Sequence, residues 1–142
     1  MKDIRMDEIN SIEELHRILN LCYEILGYDE GELYGADAWE QRWMEGKSPM
    51  LYARKDDTIV AAVLGRAENE DSMVLGFVAC DANYRRQGIT KSLMEKFEKK
   101  CKDMNYKYIT LGSKEDIFYE KCEYKVIHSI NGQNIYQKIL GM

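Results

Sequence analysis

Hydrophobic positions change their spacing several times along the chain, and each change marks an element. Residues 2–8 alternate through Ile4 and Met6 and then break, which predicts a short first strand. Ser11 followed by Glu14 is a capping box. Behind it Ile12, Leu15, Ile18, Leu19, Cys22, Ile25 and Leu26 recur at helical spacing, with Gly27 as a stop. Residues 28–35 form an acidic, glycine-containing loop. Asp37 with Glu40 predicts a second helix start, with Trp39, Trp43 and Met44 on one face and Gly46 at the end. Residues 50–54 and 58–67 read as strands around an Asp56-Asp57 turn. Residues 72–80 read as a third strand, whose near-continuous apolarity predicts burial on both faces. From Ile89 the period is helical again, through Leu93, Met94, Phe97, Cys101 and Met104. Residues 106–111 return to strand, and 113–122 form a short helix with Ser113 as its cap. Residues 124–140 form a hairpin turning at Asn131-Gly132.

The order β-α-α-β-β-β-α-β-α-β-β predicts an α/β (α+β) fold. A central, mostly antiparallel mixed sheet is flanked by helices in a single domain over residues 1–142. Only the step from 72–80 through a helix to 106–111 has the form of a parallel crossover.

Composition narrows the class. At 142 residues, 45% apolar and 32% charged, the chain can bury roughly two thirds of its unfolded surface and is not a disordered segment. Its 20 basic and 25 acidic side chains give a net charge of −5, which argues against a sequence-independent nucleic-acid binder. The N-terminal residues are charged throughout, and the longest apolar run, Ile59 to Leu64, is six residues, so neither a signal core nor a membrane span is expected. The four cysteines are widely spaced without a C-x-x-C pair, and His16 and His128 are far apart in sequence, so no metal site is expected. Each cysteine sits in an apolar pattern, as a reduced core residue of a cytoplasmic protein would.

The chemically informative stretch runs from Asp81 to Thr90, between an apolar strand and an amphipathic helix. Such a junction leaves the N–H groups of the helix's first turn unpaired. Gly88 permits close approach to that backbone, and Arg85 and Arg86 add positive charge. The combination suits a phosphate or pyrophosphate, although two arginines and a glycine also make an ordinary solvated turn. No G-x-x-x-x-G-K-[ST] and no G-x-G-x-x-G follows a strand, so neither nucleotide fingerprint is present.

The run Val78-Ala-Cys-Asp-Ala-Asn-Tyr-Arg-Arg-Gln-Gly-Ile-Thr90 resembles the acetyl-CoA-binding motif of the GNAT family N-acetyltransferases, with Arg85, Gly88 and Thr90 on its defined positions. Phe118-Tyr-Glu-Lys-Cys-Glu-Tyr124 resembles that family's later Phe-Tyr-Glu-Lys segment, in the right order and one helix and one strand further on. Thr90 stands where the motif has a small Gly or Ala, and Cys122 and Glu123 replace its Leu and Gly.

The resemblance implies an acetyl-CoA-dependent N-acyltransferase with acetyl-CoA as cosubstrate and no metal. Main-chain groups of Val78, Ala79 and Cys80 would face the pantetheine arm, and those of Arg85, Arg86, Gln87, Gly88, Ile89 and Thr90 the pyrophosphate. Tyr119 matches the family tyrosine that protonates the departing thiolate. The strand entering the motif carries no carboxylate, so Glu68, at the end of the preceding strand, is the first candidate for the general base, with Glu70, Asp71 or a water chain as rivals. By analogy the acceptor pocket lies between the first two helices and the sheet. There Asp29, Glu30, Glu32, Tyr34, Asp37, Trp39 and Trp43 would suit a cationic amine of a small molecule or peptide. Neither nucleic acid nor membrane is an expected partner, and a homodimer is compatible with the chain. A non-catalytic acyl-CoA-binding module on the same fold is the alternative reading.

Overall fold

The structure is a computed structural model that describes residues 3–27 and 33–141. Its elements follow the predicted order: β1 (Ile4–Glu8), α1 (Ile12–Leu26), α2 (Ala36–Glu45), β2 (Met50–Lys55), β3 (Thr58–Ala67), β4 (Ser72–Cys80), α3 (Ile89–Asp103), β5 (Tyr108–Ser113), α4 (Asp116–Lys121), β6 (Lys125–Ile130) and β7 (Gln133–Ile139). A 3-10 turn, Ala82–Tyr84, precedes α3. The seven strands form one sheet in the order β1-β2-β3-β4-β5-β7-β6. Every pairing is antiparallel except β4 with β5, the single crossover expected from the sequence.

Local chemistry accounts for most boundaries. Ser11 Oγ accepts from the Glu14 N–H at 3.1 Å, while Glu14 Oε1 reaches back to the Asn10 N–H at 2.9 Å, one residue before the cap itself. Gly27 and Gly46 close α1 and α2 in the left-handed region. Asn131 and Gly132 both have positive φ (51° and 76°), the pair of angles that a tight hairpin requires.

Three expectations shift. Helix α2 starts at Ala36 behind Gly35, with no side-chain cap, so Asp37 lies inside the first turn. Ser113 ends β5; its Oγ accepts from the Glu115 N–H at 2.9 Å, and α4 begins only at Asp116. β5 begins at Tyr108 because Asn105, at φ 70°, and the bond from Tyr106 N–H to the Cys101 carbonyl (3.0 Å) still belong to the close of α3.

Two cores sandwich the sheet. Leu15, Ile18, Leu19 and Cys22 of α1 and Trp39 of α2 pack on one face against Tyr52, Leu64, Phe77 and Ala79. On the other face Ile89, Leu93, Met94, Phe97 and Cys101 of α3 pack with Tyr119, Tyr124 and Tyr136 against Val63, Met73 and Leu75. Trp43 is half-buried and donates its indole N–H to the Ile9 carbonyl at 2.9 Å; Met44, expected beside it, points to solvent.

Strand β4 contributes to both cores in an unexpected way. Met73 and Leu75 face α3, whereas Phe77 and Ala79 face α1 and α2. Strict alternation would put all four on one side. The register against β3 explains it: Leu64 pairs with Phe77 and Gly65 with Leu75, so Gly76 is an inserted residue. This bulge reverses the facing of everything after it. The apolar run in β4 therefore records a strand that changes sides.

Candidate active site

Strand β4 follows β5 only through Ser72–Tyr108, Met73–Ile109 and Val74–Thr110. Beyond Val74 the strands have no further ladder partners in common. β4 continues to Cys80 paired only with β3, and β5 continues to Ser113 paired only with β7. The bulge falls at this divergence. The result is a cleft whose β4 wall presents main-chain groups from Gly76 to Cys80, among them those of Val78, Ala79 and Cys80.

The loop at the mouth of the cleft is internally braced. Asp81 accepts from the Asn83 N–H at 2.8 Å, and the Tyr84 N–H donates to the Asp81 carbonyl at 2.9 Å. Arg85 Nε donates to the Cys80 carbonyl at 3.4 Å. Arg86 has φ 64° and Gly88 φ 79°. Gly88 is the N-cap of α3 with no side-chain hydrogen bond, so the first-turn N–H groups of Ile89, Thr90 and Lys91 receive no side-chain cap. A Cβ built on Gly88 meets nothing within 4 Å. The exposed side chains of Arg85, Arg86 and Gln87 surround this opening; Ile89 is buried and Thr90 half-buried. Uncapped N–H groups, an open glycine and two guanidinium groups fit the pyrophosphate of a coenzyme A thioester.

Tyr119 lies on α4 in the α3-side core and is 6% exposed. Its ring packs against Phe118, Tyr124 and Tyr136. Helix α4 is anchored by its first residue: Asp116 Oδ1 accepts from the Tyr136 hydroxyl and from Asn134 Nδ2, the latter at 3.0 Å. These bonds hold the Asp116 carboxyl below its ordinary range, the Tyr136 hydroxyl contributing most. Sequence reasoning passed over Asp116, because a carboxylate at a short helix start carries no signal of its own.

Glu68 is half-exposed on the β3–β4 shoulder, accepting from Arg66 Nη1 at 2.8 Å. Its N–H donates to the Ser72 carbonyl, which places it at the end of β4 opposite Cys80. The structure therefore does not bring Glu68 to the loop end of the cleft. All four cysteines are free thiols; Cys22, Cys101 and Cys122 are buried, and Cys80 is half-buried at the cleft wall. Burial pushes the Cys22 and Cys101 thiols up to about 12. Two surface hollows, of about 420 Å³ around Tyr52, Glu14 and Arg17 and about 350 Å³ around Glu98, Cys122 and Lys138, are lined by no residue of the loop or of Val78–Cys80. Among the described residues no group of three or more metal-binding side chains occurs, and no helix is long and apolar enough to cross a membrane.

The expected acceptor side is described only in part. Asp29, Glu30 and Glu32 lie outside the described residues. Trp39 is fully buried under the bulge, and Asp37 is exposed. The charged groups found beside the aromatic rings are cations: Arg42 lies 4.6 Å from the Trp39 ring centroid and Arg66 5.9 Å from that of Tyr34.

The described residues form a mixed seven-stranded sheet whose one parallel pair diverges after Val74, with α3 starting uncapped beyond the end of β4. Residues 12–124 match the model of the Acetyltransferase (GNAT) family, and the chain belongs to that family and is an acyltransferase. Among solved structures it is similar to the PaiA N-acetyltransferase of Thermoplasma acidophilum in complex with coenzyme A (19% identity, 96% of this chain and 98% of that one, TM-score 0.80). It is likewise similar to a GNAT family acetyltransferase of Elizabethkingia anophelis with acetyl-CoA bound (12%, 98% and 99%, TM-score 0.74). An aminoglycoside 6'-N-acetyltransferase complexed with coenzyme A has the same fold (16%, 97% and 98%, TM-score 0.78). Among curated protein sequences none matches the chain.

Proposed function

We propose that the protein transfers an acetyl group from acetyl-CoA to the primary amine of a small molecule or peptide. The observation that carries this reading is the divergence of β4 from β5 after Val74, together with the open, uncapped start of α3 at Gly88 beyond the end of β4. Acetyl-CoA supplies the activated acetyl thioester. Main-chain groups of Val78, Ala79 and Cys80 hold its arm, and Arg85 to Thr90 hold its pyrophosphate. The acceptor nitrogen attacks directly, and a strand amide near Cys80 faces the carbonyl oxygen as negative charge develops there. Tyr119 gives its proton to the sulfur as the carbon–sulfur bond breaks, and a water chain takes the proton lost by the amine, because Glu68 stands at the other end of β4.

The alternative, a regulatory module that binds acyl-CoA without turnover, shares the cradle and differs at Tyr119, because a binder has no use for a proton donor. Calorimetry with acetyl-CoA and free-thiol release with a panel of amines separate the two. Binding with acceptor-dependent thiol release supports the transferase, binding alone supports the module, and absence of binding overturns both.

A further inference from the structure

Beside the hollow bordered by Glu98, Cys122 and Lys138, a charged cluster ties three parts of the fold together. Glu98 of α3 keeps 12% of its side chain exposed and Lys138 of β7 22%, and the two meet at 2.9 Å. The Tyr124 hydroxyl, just ahead of β6, donates to the other Glu98 oxygen at 2.9 Å. Lys138 Nζ also donates to the Cys122 carbonyl at 2.8 Å and lies 5.5 Å from the Tyr124 ring centroid. An ion pair withdrawn this far from water returns little net stability, because desolvation offsets the attraction. Its use lies in what it holds in place.

What it holds is the far end of α4. Cys122 is the C-cap of that helix, and its carbonyl is the one that Lys138 engages. The Tyr124 N–H donates to the Tyr119 carbonyl at 3.0 Å, and the two rings meet edge to face with centroids 5.9 Å apart. Burial first, and then the Glu98 charge, hold the Tyr124 phenol well above its ordinary value, so it stays protonated and keeps donating to Glu98. Tyr124 is buried, and a shift of its ring is passed on to the Tyr119 ring packed against it. Glu98 also stands on the same helix as the open start at Gly88, about 15 Å along the axis. The helix that offers the pyrophosphate cradle therefore holds the segment that carries Tyr119.

From this we infer that Glu98 is a positioning residue for the transfer step: through the Tyr124 hydroxyl it sets where the Tyr119 phenol stands relative to a thioester held from α3. Lys138 occupies the second Glu98 oxygen and keeps the carboxylate turned toward Tyr124. The inference rests on the reading of Tyr119 as proton donor and adds a residue that acts on it only through Tyr124.

The test is single-turnover thiol release at saturating acetyl-CoA, with the most rapidly acetylated amine of the panel. Tyr124→Phe and Glu98→Ala are each made in the wild-type and in the Tyr119→Phe background. In the wild-type background both should lower the rate about tenfold or more, because a small misplacement of a reacting group is costly, while acetyl-CoA affinity stays within about twofold. In the Tyr119→Phe background neither should lower it by more than about twofold, because the donor they position is already gone. A merely structural role would weaken both backgrounds alike. Tyr124→Phe leaves the Glu98–Lys138 pair intact, so it decides the matter if Glu98→Ala fails to fold. A wild-type rate in Tyr124→Phe, equal losses in the two backgrounds, or a loss of acetyl-CoA affinity matching the loss of rate overturns the inference and leaves the proton donor standing. A wild-type rate in Tyr119→Phe, or no turnover with any amine, overturns the proton-donor reading and this inference with it.

Discussion

The edge of the Trp39 ring occupies the space that a side chain on residue 76 would need. A Cβ built on Gly76 would lie 2.5 Å from Cη2 of Trp39, 3.0 Å from Cζ2 and 3.3 Å from the Leu64 carbonyl oxygen. Glycine is thus required at the bulge for steric reasons, and the two residues fix each other: the bulge turns Phe77 toward α2, and Trp39 fills the space beside it. Gly76→Ala should destabilise the protein by about 1–3 kcal/mol through overpacking. Trp39→Phe, which opens space there, should cost stability alone, but the double variant should be more stable than the sum of the two losses. Urea denaturation of the four proteins gives the coupling; strict additivity would mean that the backbone shifts and the contact does not matter.

Gly76 also illustrates how far the sequence carries. A glycine inside an otherwise apolar strand signals a bulge, but nothing local says which face each half will join, because that depends on the register against β3. The hairpin at Asn131-Gly132 was legible because its backbone angles are a property of those two residues alone. The Arg85–Thr90 cradle was legible for a similar reason: strand, basic turn, glycine and helix are adjacent in the chain. The cations beside the α1–α2 aromatic cluster were not, since Arg42 and Arg66 stand on α2 and β3 and come to those rings only through tertiary packing.

Gly88 stands at φ 79° with open space around it, so its substitution has two separable consequences. Gly88→Ala and Gly88→Val should both cost about 1–2 kcal/mol from the left-handed backbone. Only the cofactor meets the added side chain, so acetyl-CoA affinity should fall at least tenfold for valine and less for alanine. Calorimetry on folded variants checks this. Because Arg85 and Arg86 are exposed, wild-type affinity should also decline as salt rises.

Tyr52 links the sheet to the start of α1. It is buried, and its hydroxyl donates to Glu14 Oε2 at 2.6 Å. Burial first, and then the bond to Glu14, push its phenol up to about 12. A raised phenol favours the folded state while both states are protonated. That stability is fully present below the ordinary tyrosine value near ~10 and is lost as pH rises from there to about 12. Tyr52→Phe should cost about 1.5–3 kcal/mol at neutral pH, the worth of a hydrogen bond to a charged group. Its melting temperature should then fall less steeply than that of the wild type above pH ~10. Parallel alkaline slopes for the two proteins would assign the loss to other tyrosines.

Glu68 stands at the end of β4 opposite Cys80 and pairs with Arg66, so its substitution tests the water-chain reading. Glu68→Gln should leave kcat/KM within about threefold of the wild-type value, without changing acetyl-CoA affinity. Its exposed ion pair predicts little change in stability. Thiol release checks this; a loss of about 10²-fold or more would return the proton to Glu68.

Tyr119 is held from two sides: Asp116 ties the start of α4 to Tyr136 and Asn134 on β7, and the Tyr119 ring itself packs on Tyr136. A proton donor placed this firmly loses no orientational freedom at the moment of transfer. Tyr119→Phe keeps the ring, its contacts and nearly all of its volume, so the fold should survive with a small change in melting temperature. The substitution removes the hydroxyl and with it the proton donor. The loss should appear in kcat, by about 10²-fold or more, with acetyl-CoA affinity nearly unchanged. Asp116→Asn, which weakens the anchor but leaves the phenol in place, should give a smaller loss together with lower stability. Single-turnover thiol release on both variants distinguishes the roles, since it isolates chemistry from product release. If Tyr119→Phe turns over at the wild-type rate, the ring is a packing element, and water or Tyr84 must protonate the sulfur.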